Sequence, residues 1–422
     1  FIYNSRTNCF YEVSSDSYDL LDKIKSDCCS ISILDDKARD LLRKKKILVH
    51  EKDDDNYRDY LKLSYLRGAC SSDVFNLTIA PTIGCNLRCP YCFEENKSSG
   101  TMNDETIEQL VKFIKINSIN KKYRITWFGG EPLLCLPVIE RILSHLSAEK
   151  EYKLITHSII TNGTLLNEHA IELFNKYSID SIQITFDGIR QSHDKKRYFS
   201  TGKGSFDLIV SNIKLFLGSF PTTHIDFRIN VDNSNSSEYI EMRSFLLEEF
   251  KGYNIHVYPG ILRANRSCED DTFFTSEQHL EFSKMLWSNN IHDIYPTHCS
   301  KGCCATSLSS HVVGPDGELY VCWEHVGIKD KIVGYIDGRH AQGSEIYALY
   351  KLKGNCFEDP RCLACGLLPL CSGGCPDKRI KNLTENSGYN LCTIYNEKDC
   401  SGLASALYEY YLTTISKNQR DG

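Results

Sequence analysis

Cys85-Asn86-Leu87-Arg88-Cys89-Pro90-Tyr91-Cys92-Phe93 sets three cysteines at x3 and x2 spacing, a few residues after a candidate strand at 75–80. Three thiolates so spaced can hold three irons of a 4Fe–4S cube and leave the fourth iron without a protein ligand. A cluster used for electron transfer alone normally takes four cysteines. An open iron is where a substrate or cofactor can be bound and chemically altered. Taken in isolation, the same three residues also suit a zinc knuckle, or a chance grouping in a chain with 20 Cys.

Downstream of the triad the chain alternates between two periods. Strands are predicted at 75–80, 124–128, 154–161, 181–186, 224–231 and 255–258, with helices at 106–119, 137–148, 168–177, 206–217 and 239–250. Six strands alternating with helices predict an α/β fold, a parallel sheet curled into a partial (β/α)6 TIM barrel. Sites in such barrels gather at the C-terminal ends of the strands. The triad follows the first strand and belongs at that rim. A helix at 276–289 bridges to a cysteine-rich C-terminal third with no long periodic element before 402–415.

The first 70 residues read as a small α+β unit. Two short strands flank Asn4-Ser5-Arg6-Thr7. A helix follows caps at Ser14 to Ser17, and a second runs from Asp35-Asp36 to Arg43-Lys44-Lys45-Lys46, before a closing strand at Ile47-Leu48-Val49. Cations in a last helical turn suit the helix dipole, so the basic run needs no ligand. Hairpin, helices and closing strand predict a winged-helix-like module, with 51–60 as a linker or surface helix.

The 422 residues allow two or three domains, and 41% hydrophobic with 25% charged residues is ordinary for a globular chain. A net charge of −6 argues against a general nucleic-acid binder. No apolar run approaches the roughly 20 residues that span a bilayer, and no signal-peptide pattern stands at the start. Size supplies a core without disulfide staples. Metal or Fe–S ligation in a cytoplasm that is anaerobic or reducing is therefore the expected use of the cysteines.

The triad with Tyr91, followed by Gly129-Gly130-Glu131-Pro132 just after the second strand, resembles the radical S-adenosylmethionine (SAM) superfamily. The resemblance implies that SAM chelates the open iron and is cleaved to a 5′-deoxyadenosyl radical. It implies SAM contacts from Tyr91, Phe93, Gly129, Gly130, Glu131, Asn162, Asp187, Arg197 and Arg228. The glycines suit close backbone approach, and an Arg fork suits a carboxylate. Asn230 shares a strand face with Arg228. Each residue taken singly also reads as an ordinary turn residue or surface cation.

The tail carries a second pattern. Cys304, Gly317-x4-Cys322, then Cys362-x2-Cys365-x5-Cys371-x3-Cys375, Cys392 and Cys400 resemble the SPASM extension of radical SAM enzymes that modify peptides and proteins. The resemblance implies three 4Fe–4S clusters in all: the SAM cluster on Cys85, Cys89 and Cys92, auxiliary cluster I on Cys299, Cys304, Cys322 and Cys375, and auxiliary cluster II on Cys362, Cys365, Cys371 and Cys392. Cys303 is an alternative to Cys304, and Cys400 to Cys392. A zinc ribbon is the competing assignment for Cys362/Cys365 with Cys371/Cys375.

Trp323 after Cys322 looks like the peptide-maturase branch, and the N-terminal unit resembles the leader-binding element of ribosomal-peptide maturases, which adds a peptide strand to a sheet edge. The expected organisation is 1–73 leader binding, 74–265 partial barrel, 266–297 bridge and 298–422 SPASM. The expected activity is an oxidative cross-link, a Cys thioether above others, in a leader-bearing precursor peptide, with flavodoxin or ferredoxin as electron donor and neither nucleic acid nor membrane as partner. Formylglycine formation in a sulfatase precursor is the alternative. A non-catalytic Fe–S or zinc peptide-binding protein is a third possibility of another class.

Overall fold

The computed structural model describes residues 1–92, 100–262, 273–291, 295–298, 302–341 and 343–415. It divides into two compact units. One comprises Phe1–Ala69, Ser276–Gly302 and Lys353–Gly422; the other comprises Cys70–Thr275 and Cys303–Leu352.

The first unit begins with a hairpin, β1 (Ile2–Asn4) antiparallel to β2 (Cys9–Tyr11), as the sequence predicts. Ser14 caps the helix Ser15–Ser26, its hydroxyl accepting from Ser17 N. Asp35 caps Asp36–Lys44 in the same way. The closing strand expected at Ile47-Leu48-Val49 does not form. Lys46 takes a left-handed φ of 56°, and the amides of Ile47 and Leu48 both donate to Leu42 O. Those bonds terminate the helix and use the donors a strand ladder would need. The carbonyls of Lys45 and Lys46 instead accept from Asn4 Nδ2 at 3.1 and 2.8 Å. The segment assigned as linker or surface helix is a 19-residue helix, Glu51–Ala69.

This helix packs on the C-terminal part of its own unit. Leu61 and Tyr65 lie against buried Cys356, Phe357 and Leu368. Tyr3 and Phe10 of the hairpin lie against Leu367, Leu370, Leu403 and Leu407. The C-terminal helix runs Glu397–Tyr410, starting five residues before its expected place.

The second unit is built on a nine-stranded sheet. Its parallel strands are β3 (Phe75–Ile79), β4 (Lys122–Trp127), β5 (Lys153–Thr161), β6 (Ser181–Phe186), β7 (His224–Val231) and β8 (Ile255–Ile261), all within a few residues of the predicted runs. They follow chain order across the sheet. β9 (Ser310–Val313) pairs parallel on the far side of β3, and β10 (Glu318–Tyr320) and β11 (Gly334–Tyr335) extend it antiparallel. The sheet is thus α/β and mostly parallel, with β8 and β11 at its edges.

Helices Asp104–Asn117, Leu136–Ala148, Glu168–Lys176, Phe206–Ser219 and Tyr239–Glu249 connect consecutive strands. Ile107, Leu110, Ile114, Ile142, Ile209 and Ile213 are buried, as are Ile79, Ile125, Ile182, Ile184 and Phe227 of the strands. Each such side chain contributes about 1.5–3 kcal/mol. A core of this kind fixes the strand ends, and with them the loops that follow. No helix among the described residues is long and apolar enough to cross a membrane.

Candidate active site

The triad loop leaves the end of β3 and is tied down at both sides. Thr82 Oγ1 donates to Gly100 O (2.8 Å) and accepts from Gly84 N (2.9 Å), while Met102 N donates to Pro81 O at 3.0 Å. Further along, Arg88 N donates to Tyr198 O at 2.8 Å, beside a bridge between Leu87 and Phe199. Leu87 is fully buried and anchors the middle of the motif.

Gly129 and Gly130 follow β4 and lie against this loop. Gly130 N donates to Thr82 O, and Glu131 N to Gly84 O at 2.8 Å. A Cβ on Gly129, which has a φ of +120°, would sit 2.2 Å from Thr82 O; one on Gly130 would sit 2.2 Å from Gly84 O. The missing side chains therefore make room for the backbone that carries the triad.

Glu131 is wholly buried. Its carboxylate accepts from Thr161 Oγ1 (2.7 Å), Asn162 N (2.7 Å) and Leu133 N (3.1 Å). Burial raises its pKa, with the Asn162 and Thr161 bonds opposing. Its side chain locks the turn after β4 to the end of β5. Asn162, at that end, donates to Asn86 Oδ1 (2.8 Å) and lies 3.8 Å from Cys85 Sγ. Asn86 in turn donates to Thr164 Oγ1 at 2.8 Å. Leu87 N also donates to Cys85 Sγ at 3.4 Å. Amide donors aimed at sulfur suit a thiolate.

A second set of groups meets at Tyr91. Its hydroxyl bonds Asp187, which follows β6, and accepts from Arg197 Nη1 (3.1 Å) and Asn230 Nδ2 (3.2 Å). Arg197 and Asp187 form an ion pair at 3.7 Å, with the carboxylate fully buried. Burial raises the Asp187 pKa and Arg197 opposes it. Arg228 Nε donates to Asn230 Oδ1 at 2.9 Å, its side chain lying where a Cβ on Gly260 would be.

His193, on the helix Arg190–Lys196, accepts from Asp187 N at Nδ1 (3.3 Å) and meets Ser205 Oγ at Nε2 (3.0 Å). Ser205 donates to Arg197 O (2.6 Å), so the imidazole is neutral and carries its proton on Nε2. Burial and then Arg197 push its pKa well down. The sequence places His193 and Asn230 among the matches that resemble the family's ribose- and carboxylate-binding positions, but neither is among the expected SAM contacts. The alternation that put Asn230 beside Arg228 was the available signal.

Two atoms of this set have no hydrogen-bond partner, Asp187 Oδ1 and Arg197 Nε, and both are buried. A buried acceptor and donor left open in a set whose Arg197 also feels Cys89 fit a polar, charged ligand. Phe93 lies outside the described residues. Among those described, no three Cys, His or carboxylate side chains are grouped as ligands of one metal ion, so the cluster assignments rest on spacing and on these sulfur hydrogen bonds.

The Radical SAM superfamily profile matches residues 79–246, from the end of β3 into the helix Tyr239–Glu249. Residues 79–246 form a radical SAM domain. That family uses SAM and a 4Fe–4S cluster, which the donors of the triad rim fit.

The chain is homologous to a cysteine-type anaerobic sulfatase-maturating enzyme of Clostridium novyi (strain NT), 27% identical over 345 residues, or 73% of this chain and 89% of the relative. It is also homologous to the radical SAM cyclopropyl synthase TigE of Paramaledivibacter caminithermalis, 23% identical over 76% of this chain and 72% of that one. Among solved structures, anSMEcpe with bound AdoMet and a peptide matches with a TM-score of 0.61 at 21% identity, covering 83% of this chain and 100% of that one. Streptococcus suis SuiB bound to its precursor peptide SuiA matches with a TM-score of 0.53 at 16% identity, covering 82% and 80%. At these identities the solved structures establish a shared fold.

The radical SAM unit also holds part of the second cysteine series. Cys303 and Cys304 bring their sulfurs to 4.0 Å, and Cys304 Sγ lies 3.9 Å from Val321 O, next to Cys322. Lys351 Nζ donates to Ala305 O (3.0 Å) and Ser307 O (2.6 Å) beneath them. Trp323 stacks on Phe128 at 5.5 Å, immediately before the Gly-Gly turn.

Cys362, Cys365, Cys371, Cys375 and Cys392 belong to the other unit, and Cys299 lies outside the described residues. Leu367 N donates to Cys365 Sγ (3.4 Å) and Gly373 N to Cys371 Sγ (3.3 Å). Gly374, at φ +77°, is so close to Leu391 that a Cβ would lie 2.3 Å from Leu391 O, which keeps Cys392 beside the Cys371–Cys375 turn. Cys400 instead packs in the apolar cluster of Leu403 and Leu407.

Proposed function

We propose that the chain is a radical SAM peptide maturase that installs an oxidative cross-link, a Cys thioether, in a ribosomal precursor peptide. The observation that carries this proposal is the C-terminal cysteine series, in which Cys362, Cys365 and Cys371 each accept a hydrogen bond at sulfur within the unit that also contains the N-terminal hairpin. With SAM on a cluster held by Cys85, Cys89 and Cys92, the site would supply a 5′-deoxyadenosyl radical able to take hydrogen from a substrate carbon.

The protein's part is position and exclusion of water. Gly129 and Gly130 hold the triad loop, and Asn162 and Glu131 fix the rim beneath it. Asp187, Arg197 and Asn230 orient Tyr91 and offer polar atoms to SAM, while Arg228 braces Asn230. Auxiliary cluster I would take Cys299, Cys304, Cys322 and Cys375, and auxiliary cluster II Cys362, Cys365, Cys371 and Cys392. Together they give an exit for the electron that an oxidative cross-link releases. Strands β3–β8 would act as the partial barrel, residues 298–422 as the SPASM region, 266–297 as the bridge and 1–73 as the leader-binding element. An external flavodoxin or ferredoxin in the cytoplasm would donate the first electron.

Formylglycine formation is a second reading, favoured by the 27% identity to a sulfatase-maturating enzyme. Mass spectrometry separates the two. A co-expressed precursor with Cys in its core should lose two hydrogens per cross-link, whereas a sulfatase-derived peptide would exchange its thiol for an aldehyde oxygen. Deoxyadenosine release should vanish in C85A/C89A/C92A. Persistence of that release in the triple variant would overturn both.

A further inference from the structure

Arg379 is buried, only 4% exposed, on the helix Pro376–Thr384 that begins just after Cys375. Its Nη2 donates to Cys362 Sγ at 3.5 Å and to Gly373 O at 2.6 Å. Its Nη1 donates to Asp359 Oδ2 at 2.7 Å. Gly373 makes this placement possible: at φ +80°, a Cβ there would come within 2.8 Å of Arg379 Nη2. The sulfur donors at Cys365 and Cys371 are neutral backbone amides, whereas the donor at Cys362 carries a full charge.

A cation held out of water beside a ligand sulfur stabilises the more negative, reduced form of a cluster. Hydrogen bonds to sulfur and local net charge are among the factors that set Fe–S potentials. Asp359 opposes the guanidinium. Its carboxylate, held far below the ordinary range by bonds from Arg361 and then Arg379, keeps a negative charge at the same place. We propose that Arg379 sets the reduction potential of the cluster held by Cys362, Cys365, Cys371 and Cys392, raising it against the partial compensation of Asp359. This rests on the auxiliary-cluster assignment made above. The step concerned is the addition of one electron, from the reductant of the titration, to the oxidised cluster.

The test is a redox titration followed by electron paramagnetic resonance in the full chain carrying C85A/C89A/C92A, so that the auxiliary clusters alone respond. R379Q should lower the reduction equilibrium constant of one cluster about tenfold, a shift of ~59 mV to more negative potential for a one-electron couple. D359N, which keeps the helix cap but removes the negative charge, should shift the same cluster the opposite way. Opposite signs cannot come from a general loosening of the loop. If R379Q fails to hold the cluster, the sign of D359N decides alone. An unmoved potential in D359N, or the same sign in both variants, overturns the proposal and leaves Arg379 a structural pin. Iron content separately tests the assignment beneath it: if C362A in the same background retains all its iron, no cluster resides there.

Discussion

Gly130 is a position where one methyl group decides the site. Its Cβ would meet Gly84 O at 2.2 Å and Ile83 O at 2.5 Å, both backbone atoms that cannot swing away. G130A is expected to lose about four iron atoms per chain, those of the triad cluster; iron analysis with paramagnetic resonance reads this. Gly218 is the matched control. It is helical with nothing near its Cβ position, so G218A should raise stability by about 0.5–1 kcal/mol in urea unfolding. Gly-Gly-Glu was legible as a motif because it directly follows a strand. What the structure adds is a partner for each member: the glycines admit the Thr82–Gly84 backbone, and Glu131 accepts from Thr161, Asn162 and Leu133. A motif reports which residue types are needed, while partners tens of residues away decide for what.

At the scale of elements, β3 to β8 were legible because each carries a run of four or more strand-forming residues between helical patterns. The strands β9, β10 and β11 have four, three and two residues, too few to show a period, and only the pairing of β9 with β3, of β10 with β9 and of β11 with β10 defines them. His311 on β9 shows what that pairing encloses. It sits opposite Leu77, among Phe75, Phe113 and Tyr347. Burial and then Lys351 lower its pKa to about 4. The unfolded chain takes up a proton near pH 6.5 and the folded one does not, so stability is full above pH 6.5 and is lost as pH falls toward 4. The loss amounts to about 3 kcal/mol at most by pH 4. His157 and His193, also pushed down by burial, act in the same direction. Glu131 and Asp187, pushed up by burial, act in the opposite one, their penalty relieved as they protonate in acid. H311Q should therefore flatten the fall in melting temperature between pH 6.5 and 4. An unchanged slope would place the acid sensitivity elsewhere.

For the whole molecule, the sequence invited a division into consecutive domains, but the chain folds back on itself. Ser5 bonds Gly366 O, Tyr295 donates to Asn8 O at 2.8 Å and Arg58 donates to Leu363 O at 3.4 Å. Contacts across three hundred residues leave no local pattern in one sequence. They also change how a leader-binding role must be tested. Removing residues 1–69 would strip Leu61 and Tyr65 from Cys356, Phe357 and Leu368, and Tyr3 and Phe10 from Leu367 and Leu370. Burial on that scale is worth several kcal/mol, and it borders the loop that carries Cys362 and Cys365. The truncated protein should lose iron and aggregate whether or not it ever bound a leader, so its inactivity would say nothing about recognition. Surface substitutions avoid the confusion. Tyr18, Ile33 and Leu41 are 49%, 55% and 56% exposed on the short N-terminal helices, outside the clusters that join the hairpin and the helix Glu51–Ala69 to the cysteine-rich region. Y18E, I33E and L41E combined should keep iron content and melting temperature within error, while weakening precursor binding at least tenfold in a fluorescence titration with labelled leader. Unchanged affinity with intact clusters would leave the N-terminal segment as a buttress of the cysteine-rich region and place leader recognition, if there is any, on the radical SAM unit.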